Sequence, residues 1–224
     1  MLSGGSNASR DPQSKRRPKQ SLVKQKIASL LLLLATLAPD ASAGVTYFEL
    51  MKTIEIRRHS IRSKPGDHLN QSGISLARLV GQNLGPFDRV VTSTLPRAFE
   101  TAIAMGFAVD EQNELMSSYG NDVEHEAPWP LSLAGYAEVI RKGGATAKYA
   151  NQLVAVYTKL VDYIADGRAA LVINHGGIVE MGAVACLPDA DHFSWGSHFE
   201  PCEGVRLFYE DGKFVNAEIL RVST

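Results

Sequence analysis

The chain has 224 residues, of which 45% are hydrophobic and 21% are charged, so it can bury the core of one globular domain. From Met51 onward, 16 Lys and Arg stand against 21 Asp and Glu. This acidic balance argues against nucleic acid as the main partner, because nucleic acid would require an extended basic face. The two cysteines, Cys186 and Cys202, provide neither a disulfide framework nor the spacing of a zinc site.

The first fifty residues differ from the rest of the chain. Basic "SKRRPKQSLVKQK" precedes the apolar run "IASLLLLLATLA", and "ASAG" ends in the pattern of a cleavage site after Ala43. This order predicts a secretory signal, and therefore an exported protein. Alternatively, translation starts near Met51, which opens directly into a predicted strand, and the protein is cytoplasmic. We favour the second interpretation and expect residues 1–50 to lie outside a folded domain of residues 51–224.

Strands alternate with helices from Met51 onward. Residues 108–130 show no repeating pattern of apolar residues, which predicts a long loop or lid. The final hairpin is expected to turn at Asp211-Gly212. We expect Ser72 and Thr94 to be the N-caps of the first two helices. In chain order, the patterns predict a strand at 52–57, a helix at 72–84, a strand at 88–93, helices at 94–106, 131–144 and 146–167, a strand at 169–174, a helix at 176–186 and a hairpin over 203–222.

This alternation predicts an α/β fold. The expected architecture is a three-layer sandwich, with a mostly parallel sheet covered by helices on both faces. The C-terminal hairpin adds antiparallel strands at one edge.

Three groups of polar residues each follow a predicted strand. His59 follows the first strand, Ser93 the second, and His175 the strand at 169–174. Because the carboxyl ends of parallel strands meet at one edge of a sheet, we expect these residues to share a crevice. Arg97 and the turn His175-Gly176-Gly177 also open helices, whose free N–H groups bind oxyanions.

The arginines near His59 indicate the kind of ligand. Arg58 and Arg62 flank His59, and the predicted crevice adds Arg97. A phosphoryl group suits this cluster, because its oxygens accept bidentate bonds from guanidinium groups. Arg57 alternates with Arg58 along the strand, so we expect it to point away and form a salt bridge.

Two histidines among arginines suggest catalysis rather than binding alone. The positive field lowers the pKa of an imidazole and keeps it neutral and nucleophilic near pH 7. In-line attack on phosphorus then forms a phosphohistidine, which water hydrolyses. Among the other histidines, His125, His192 and His198 lack the spacing of metal ligands, so no metal site is predicted.

The sequence resembles the histidine phosphatase superfamily, the phosphoglycerate mutase-like proteins. Its motifs are matched by Arg58-His59-Ser60, by "STLPRAFETA" from Ser93 and by "NHGG" from Asn174, so the resemblance runs from Ile54 to about Val179. It implies that His59 is the phosphorylated nucleophile and His175 the second imidazole of the pocket. It also implies a phosphate clamp of Arg58, Arg62 and Arg97, to which we add Ser93 and Gly176 as candidates. No metal or organic cofactor is implied.

The sequence departs from the family at two places. Ser60 replaces the usual Gly and adds a hydroxyl near the pocket. Met116 occupies the position expected for the proton-donating Glu, which leaves Glu124 and Glu126 as candidate proton donors.

We therefore predict a phosphatase acting on a phosphomonoester or phosphoramidate of a small metabolite or phosphoprotein. A phosphoglycerate mutase-like phosphotransferase and a non-catalytic phospho-ligand-binding relative are the alternatives. Neither nucleic acid nor membrane is an expected partner of the folded domain.

Overall fold

A computed structural model describes residues 51–222, and it contains a single six-stranded sheet. The predictions about a signal, a cleavage site and an extension within residues 1–50 lie outside the described residues. The strands are β1 (Lys52–Arg58), β2 (Arg89–Thr92), β3 (Glu111–Gln112), β4 (Ala169–Asn174), β5 (Gly204–Glu210) and β6 (Lys213–Leu220).

The strand order is β3-β2-β4-β1-β5-β6. Parallel pairing joins β3 to β2, β2 to β4 and β4 to β1. β5 runs antiparallel to β1, and β6 antiparallel to β5. The predicted mostly parallel sheet with an antiparallel C-terminal hairpin is confirmed.

Helices cover both faces of the sheet, as predicted. They are α1 (Gln71–Gly81), α2 (Pro96–Ala104), α3 (Gly120–Glu126), α4 (Leu133–Arg141), α5 (Gly144–Asp162) and α6 (Ile178–Cys186). Between residues 51 and 222, no helix is both long and apolar enough to cross a membrane.

The central strand β4 is apolar on both sides and divides the core in two. Ala170 and Val172 belong to the larger cluster, with side chains from α3, α4, α5 and α6. Leu171 and Ile173 belong to a smaller cluster, with side chains from α1 and α2. A strand buried on both faces is continuously apolar, which explains the run "AALVIN".

The neighbouring strand β1 is apolar on only one side. Ile54 and Ile56 enter the larger core, whereas Glu55 and Arg57 form an ion pair, Oε1 to Nε, at 2.6 Å. Arg57 Nη1 also donates to the Cys202 carbonyl at 2.6 Å. The prediction that Arg57 forms a salt bridge away from Arg58 is confirmed.

The two predicted helix caps were wrong. Asn70 caps α1, because its Oδ1 accepts the Gly73 N–H at 2.8 Å and the helix begins before Ser72. Leu95 occupies the N-cap position of α2 without a side-chain bond. Thr94 instead donates its hydroxyl to Glu114 Oε2 at 2.6 Å, a contact made by tertiary folding.

The prediction of a long loop at 108–130 was also wrong. This stretch contains β3, a 3-10 helix at Glu114–Met116 and α3. Each element is too short to show a period, and the buried side chains of Met116 and Val123 anchor the segment to the larger core.

Gly204 provides a stability test of the pairing between β1 and β5. A Cβ at this position would lie 1.9 Å from the Ile56 carbonyl oxygen, so Gly204→Ala must push the strands apart. We expect unfolding in urea to show a loss of about 3 kcal/mol, the upper range of overpacking costs.

Gly135 in α4 is the matched control, because its new Cβ would meet only side-chain atoms, the nearest at 3.4 Å. Gly135→Ala should be neutral or stabilising by up to about 1 kcal/mol. Equal stability of the two variants would contradict the account.

Candidate active site

The two candidate histidines meet at the carboxyl edge of the sheet. β4 lies between β1 and β2, and the backbone ladder continues past the strands. His59 N–H donates to the Asn174 carbonyl at 2.8 Å, and Ser93 N–H to the Ile173 carbonyl at 3.0 Å. The rings of His59 and His175 consequently lie 5.1 Å apart, centroid to centroid.

Arg97 joins the two imidazoles. It lies in the first turn of α2, next to Pro96. Its Nε donates to His59 Nε2 and to His175 Nδ1, each at 3.2 Å, and its Nη1 pairs with Asp67 Oδ1 at 2.5 Å.

These contacts assign the tautomer of His59. An arginine N–H only donates, so His59 Nε2 must present a lone pair to it. His59 Nδ1 lies 2.6 Å from the Ser60 carbonyl oxygen, which only accepts, so Nδ1 carries the proton. The lone pair on Nε2 is what a nucleophile requires.

The same reasoning applies to His175. Its Nδ1 accepts from Arg97, so its Nε2 carries the proton and donates to Ser93 Oγ at 2.7 Å. Ser93 is fully buried and is not among the residues that line the cavity. Its contacts support orientation of His175 rather than the phosphate contact expected from the sequence.

Both imidazoles are kept neutral by their surroundings. Burial lowers the pKa of His59 to about 3, and the positive charges of Arg97, Arg58 and Arg62 act in the same direction. Burial also lowers the pKa of His175 to about 2, with further contributions from His59 and the arginines. The direction agrees with the sequence-based expectation.

A cavity of about 620 Å³ opens over the two histidines. Arg58, Arg62, Arg97 and Lys64 line it, as does Gly176. The sequence analysis identified all of these except Lys64. Among its described lining residues, Glu124 carries the one carboxylate. The cavity therefore favours an anion.

Arg58 is held by a backbone carbonyl and by the Trp129 ring, which lines the cavity. Its Nη1 donates to the Phe199 carbonyl at 2.7 Å, and its guanidinium lies 5.0 Å from the centre of the Trp129 ring. The same ring covers Gly176, where a Cβ would lie 2.5 Å from Trp129 Cη2. Because Gly176 has no side chain, the Trp129 ring can pack against it and form a wall of the cavity. The sequence analysis missed this role.

Arg62 lies at the rim of the cavity. Its Nη1 donates to the Gly66 carbonyl at 2.5 Å, within the same loop. The loop thus holds the guanidinium near the mouth, while other N–H groups of Arg62 are available for a ligand.

The two candidate proton donors are in different places. Glu124 lines the cavity, and its Oε2 accepts the Tyr119 hydroxyl at 2.6 Å. Glu126 is not a lining residue. Its Oε1 accepts the Ala145 N–H at 2.9 Å, and its Oε2 accepts the Thr146 N–H at 2.8 Å, so it caps α5. The sequence analysis named both residues as candidate proton donors. These contacts place Glu126 away from the cavity and leave Glu124 as the candidate.

Ser60 holds the backbone next to His59 in place. Its hydroxyl donates to the Gly73 carbonyl at 2.7 Å, and its N–H donates to Thr101 Oγ1 at 2.9 Å. The hydroxyl expected near the pocket is therefore used to hold the peptide that orients His59.

No group of three or more His, Cys, Asp or Glu side chains in residues 51–222 is arranged to hold a metal ion. The site is therefore described by its imidazoles, its cations and Glu124. Glu180, a buried carboxylate just behind the cavity, was not singled out by the sequence analysis. Its position three residues after Gly177 at a helix start was the available signal.

Comparison with protein families agrees with this geometry. The family model described as histidine phosphatase superfamily (branch 1) matches residues 53–219. The match includes the strand, helix and turn segments that carry His59, Arg97 and His175. No sequence among the curated proteins matches the chain.

Solved structures share the fold at low sequence identity. Bacillus stearothermophilus YhfR is 19% identical, with a TM-score of 0.56 over 77% of this chain and 98% of that chain. Phosphoserine phosphatase from Entamoeba histolytica, in complex with 3-phosphoglyceric acid, is 15% identical, with a TM-score of 0.54 over 77% and 98%. Mycobacterial glucosyl-3-phosphoglycerate phosphatase with VO3 is 17% identical, with a TM-score of 0.54 over 76% and 99%.

The lowered pKa values can be tested by NMR titration of the imidazoles. We expect His59 and His175 to remain neutral as the pH falls from 8 to about 4, because their pKa values lie at about 3 and about 2. Exposed His68 is an internal reference, since its hydrogen bond to Glu100 raises its pKa above 6.5. Protonation of His59 or His175 together with His68 would contradict the assignment.

Proposed function

This chain belongs to the histidine phosphatase superfamily, and we propose that it hydrolyses a phosphomonoester or a phosphoramidate through a phosphohistidine on His59. The observation that carries the proposal is the fixed lone pair on His59 Nε2. It faces Arg97 beside a cavity lined by four cationic side chains. A nucleophile and charge stabilisation are the two requirements of phosphoryl transfer by this route.

The first step transfers the phosphoryl group to the enzyme. The substrate phosphate takes over the N–H of Arg97, which frees the lone pair of His59 Nε2 to attack phosphorus in line. The Nε2–P bond forms as the bond from phosphorus to the leaving oxygen or nitrogen breaks. Arg58 and Arg62 bind the equatorial oxygens, and Glu124 passes a proton to the leaving atom.

The second step returns the enzyme to its starting state. Water attacks phosphorus from the side that the leaving group vacated, and the Nε2–P bond breaks with its electron pair returning to Nε2. The Glu124 carboxylate takes a proton from this water, so the acid of the first step is regenerated. The hydroxyl of Tyr119, which donates to Glu124, stabilises the carboxylate between the two steps.

We further propose that the substrate is a small phosphorylated metabolite. The phosphoserine phosphatase and glucosyl-3-phosphoglycerate phosphatase that share the fold are named for metabolites of this class. A cavity of about 620 Å³ has room for a phosphoryl group and a small leaving group.

His59→Ala tests the nucleophile. We expect phosphate release from an aryl phosphate to fall about 1,000-fold or more, because the attacking nitrogen is lost. Brief incubation with a ³²P-labelled substrate should label the original protein, with a label that is stable in alkali and lost in acid.

The control is His68→Ala, which removes an exposed imidazole that does not line the cavity. It should keep full activity. Activity that survives His59→Ala would refute the phosphohistidine route. Absence of release and labelling in the original protein would favour the non-catalytic relative, and label returned to a substrate would favour the phosphotransferase.

Glu124→Gln tests the general acid. We expect kcat to fall about 100-fold with an alkyl phosphate, whose leaving group needs a proton. With an aryl phosphate, whose leaving group is stable as an anion, the fall should be less than about tenfold.

Glu126→Gln is the matched comparison, because it makes the same change in a carboxylate that caps α5 and does not line the cavity. It should lower stability and leave the ratio of alkyl to aryl rates unchanged. A selective loss with Glu126→Gln instead of Glu124→Gln would reverse the assignment.

A further inference from the structure

Glu180 is a fully buried carboxylate that the catalytic scheme does not use. It lies in the first turn of α6, directly after the turn that carries His175. Its Oε2 accepts the Gly177 N–H at 2.7 Å, and its Oε1 accepts the Phe199 N–H at 2.8 Å. One side chain thus binds two backbone segments that are distant in sequence.

These two segments contact two different groups that line the phosphate pocket. Gly177 belongs to the turn of His175, whereas the Phe199 carbonyl accepts Nη1 of Arg58 at 2.7 Å. A continuous chain of hydrogen bonds therefore runs from the His175 turn through Glu180 and the Phe199 peptide to Arg58. A cap of the helix alone would need only the bond to Gly177.

We propose that ionised Glu180 is a positioning residue that keeps the His175 turn and Arg58 in their reactive arrangement. The inference rests on the proposed function for its effect on activity. An ionised carboxylate offers both oxygens as acceptors, whereas a protonated carboxyl turns one of them into a donor. Protonation therefore weakens the bond to Gly177 or the bond to Phe199 and loosens one side of the pocket.

The surroundings of Glu180 permit this protonation near neutral pH. Burial raises its pKa to about 7, while hydrogen bonds from the backbone N–H groups of Phe199, Gly177 and Glu180 itself and the charge of Arg58 oppose the rise. Burial also raises the pKa values of Tyr119, Tyr136 of α4 and Tyr157 of α5, and the carboxylate of Glu180 in turn raises them further. All three tyrosines therefore stay neutral between about pH 5 and 9.

Amide NMR of the full chain tests the coupling without using turnover. The Gly177 and Phe199 amide resonances should shift between about pH 5 and 9 with one common midpoint near 7. They should not shift in Glu180→Gln. If the two amides keep constant shifts in the original protein, or titrate with different midpoints, the proposal is wrong.

Kinetics with an aryl phosphate test the effect on the site. The amide of Glu180→Gln resembles the protonated carboxyl, because one of its two terminal atoms is a donor and cannot accept the N–H group that faces it. The ratio of kcat/KM between the original protein and Glu180→Gln should be about 10 at pH 8.5 and should approach 1 at pH 5.5. Taking the ratio cancels the ionisation of the substrate itself.

Glu126→Gln is the control for a carboxylate that binds two backbone N–H groups at a helix start outside the cavity. Its ratio should stay near 1 at both pH values. A ratio for Glu180→Gln that does not change with pH would overturn the positioning role. If Glu180→Gln does not fold, the amide titration of the original protein decides the matter. If the proposed mechanism on His59 is wrong, the expected amide titration of Glu180 is unchanged. The two proposals can therefore fail separately.

Discussion

The parallel pairing of β1 and β2 on either side of β4 is the constraint from which the site follows. Three separate stretches of chain leave the sheet at the same edge, and β4 delivers His175 between His59 and Ser93. The continuous apolar character of β4 makes this central position favourable, because both of its faces are buried. Without that pairing, the motifs would remain unrelated segments separated by long helices.

Gathering cations at that edge is unfavourable unless each has a partner. Arg97 pairs with Asp67, and Arg58 is held by the Phe199 carbonyl beneath the Trp129 ring. These partners lie at the periphery, so the guanidinium groups are fixed before a ligand arrives. The two buried imidazoles add no charge of their own, because burial and the arginines keep them neutral. The protein thus maintains a positive cavity whose two innermost arginines, Arg58 and Arg97, are held by surrounding groups.

Residues immediately after strands were predictable, whereas residues recruited by tertiary contacts were not. His59, Arg97 and His175 lie at fixed offsets from strand ends or helix starts. Local sequence patterns were therefore enough to predict that they meet in one site. Ser93 follows a strand too, but whether its hydroxyl meets a ligand or an imidazole depends on a rotamer that no pattern specifies. Glu124 and Glu126 are two residues apart on the short helix α3. Only the packing of α3 against α5 shows that Glu124 lines the cavity and that Glu126 caps α5.

The sequence alone determined the fold class, the edge where the motifs meet and the salt bridge of Arg57 away from Arg58. Each of these depends on alternation or on apolar runs, which are properties of neighbouring residues, whereas the neutral state of the histidines depends mainly on burial. The tertiary structure decided which lone pair of His59 faces Arg97, which carboxylate reaches the cavity and how Glu180 joins the His175 turn to Arg58. Those outcomes depend on distances between segments far apart in the chain, and a hydrogen bond forms only within a few tenths of an ångström of its best length.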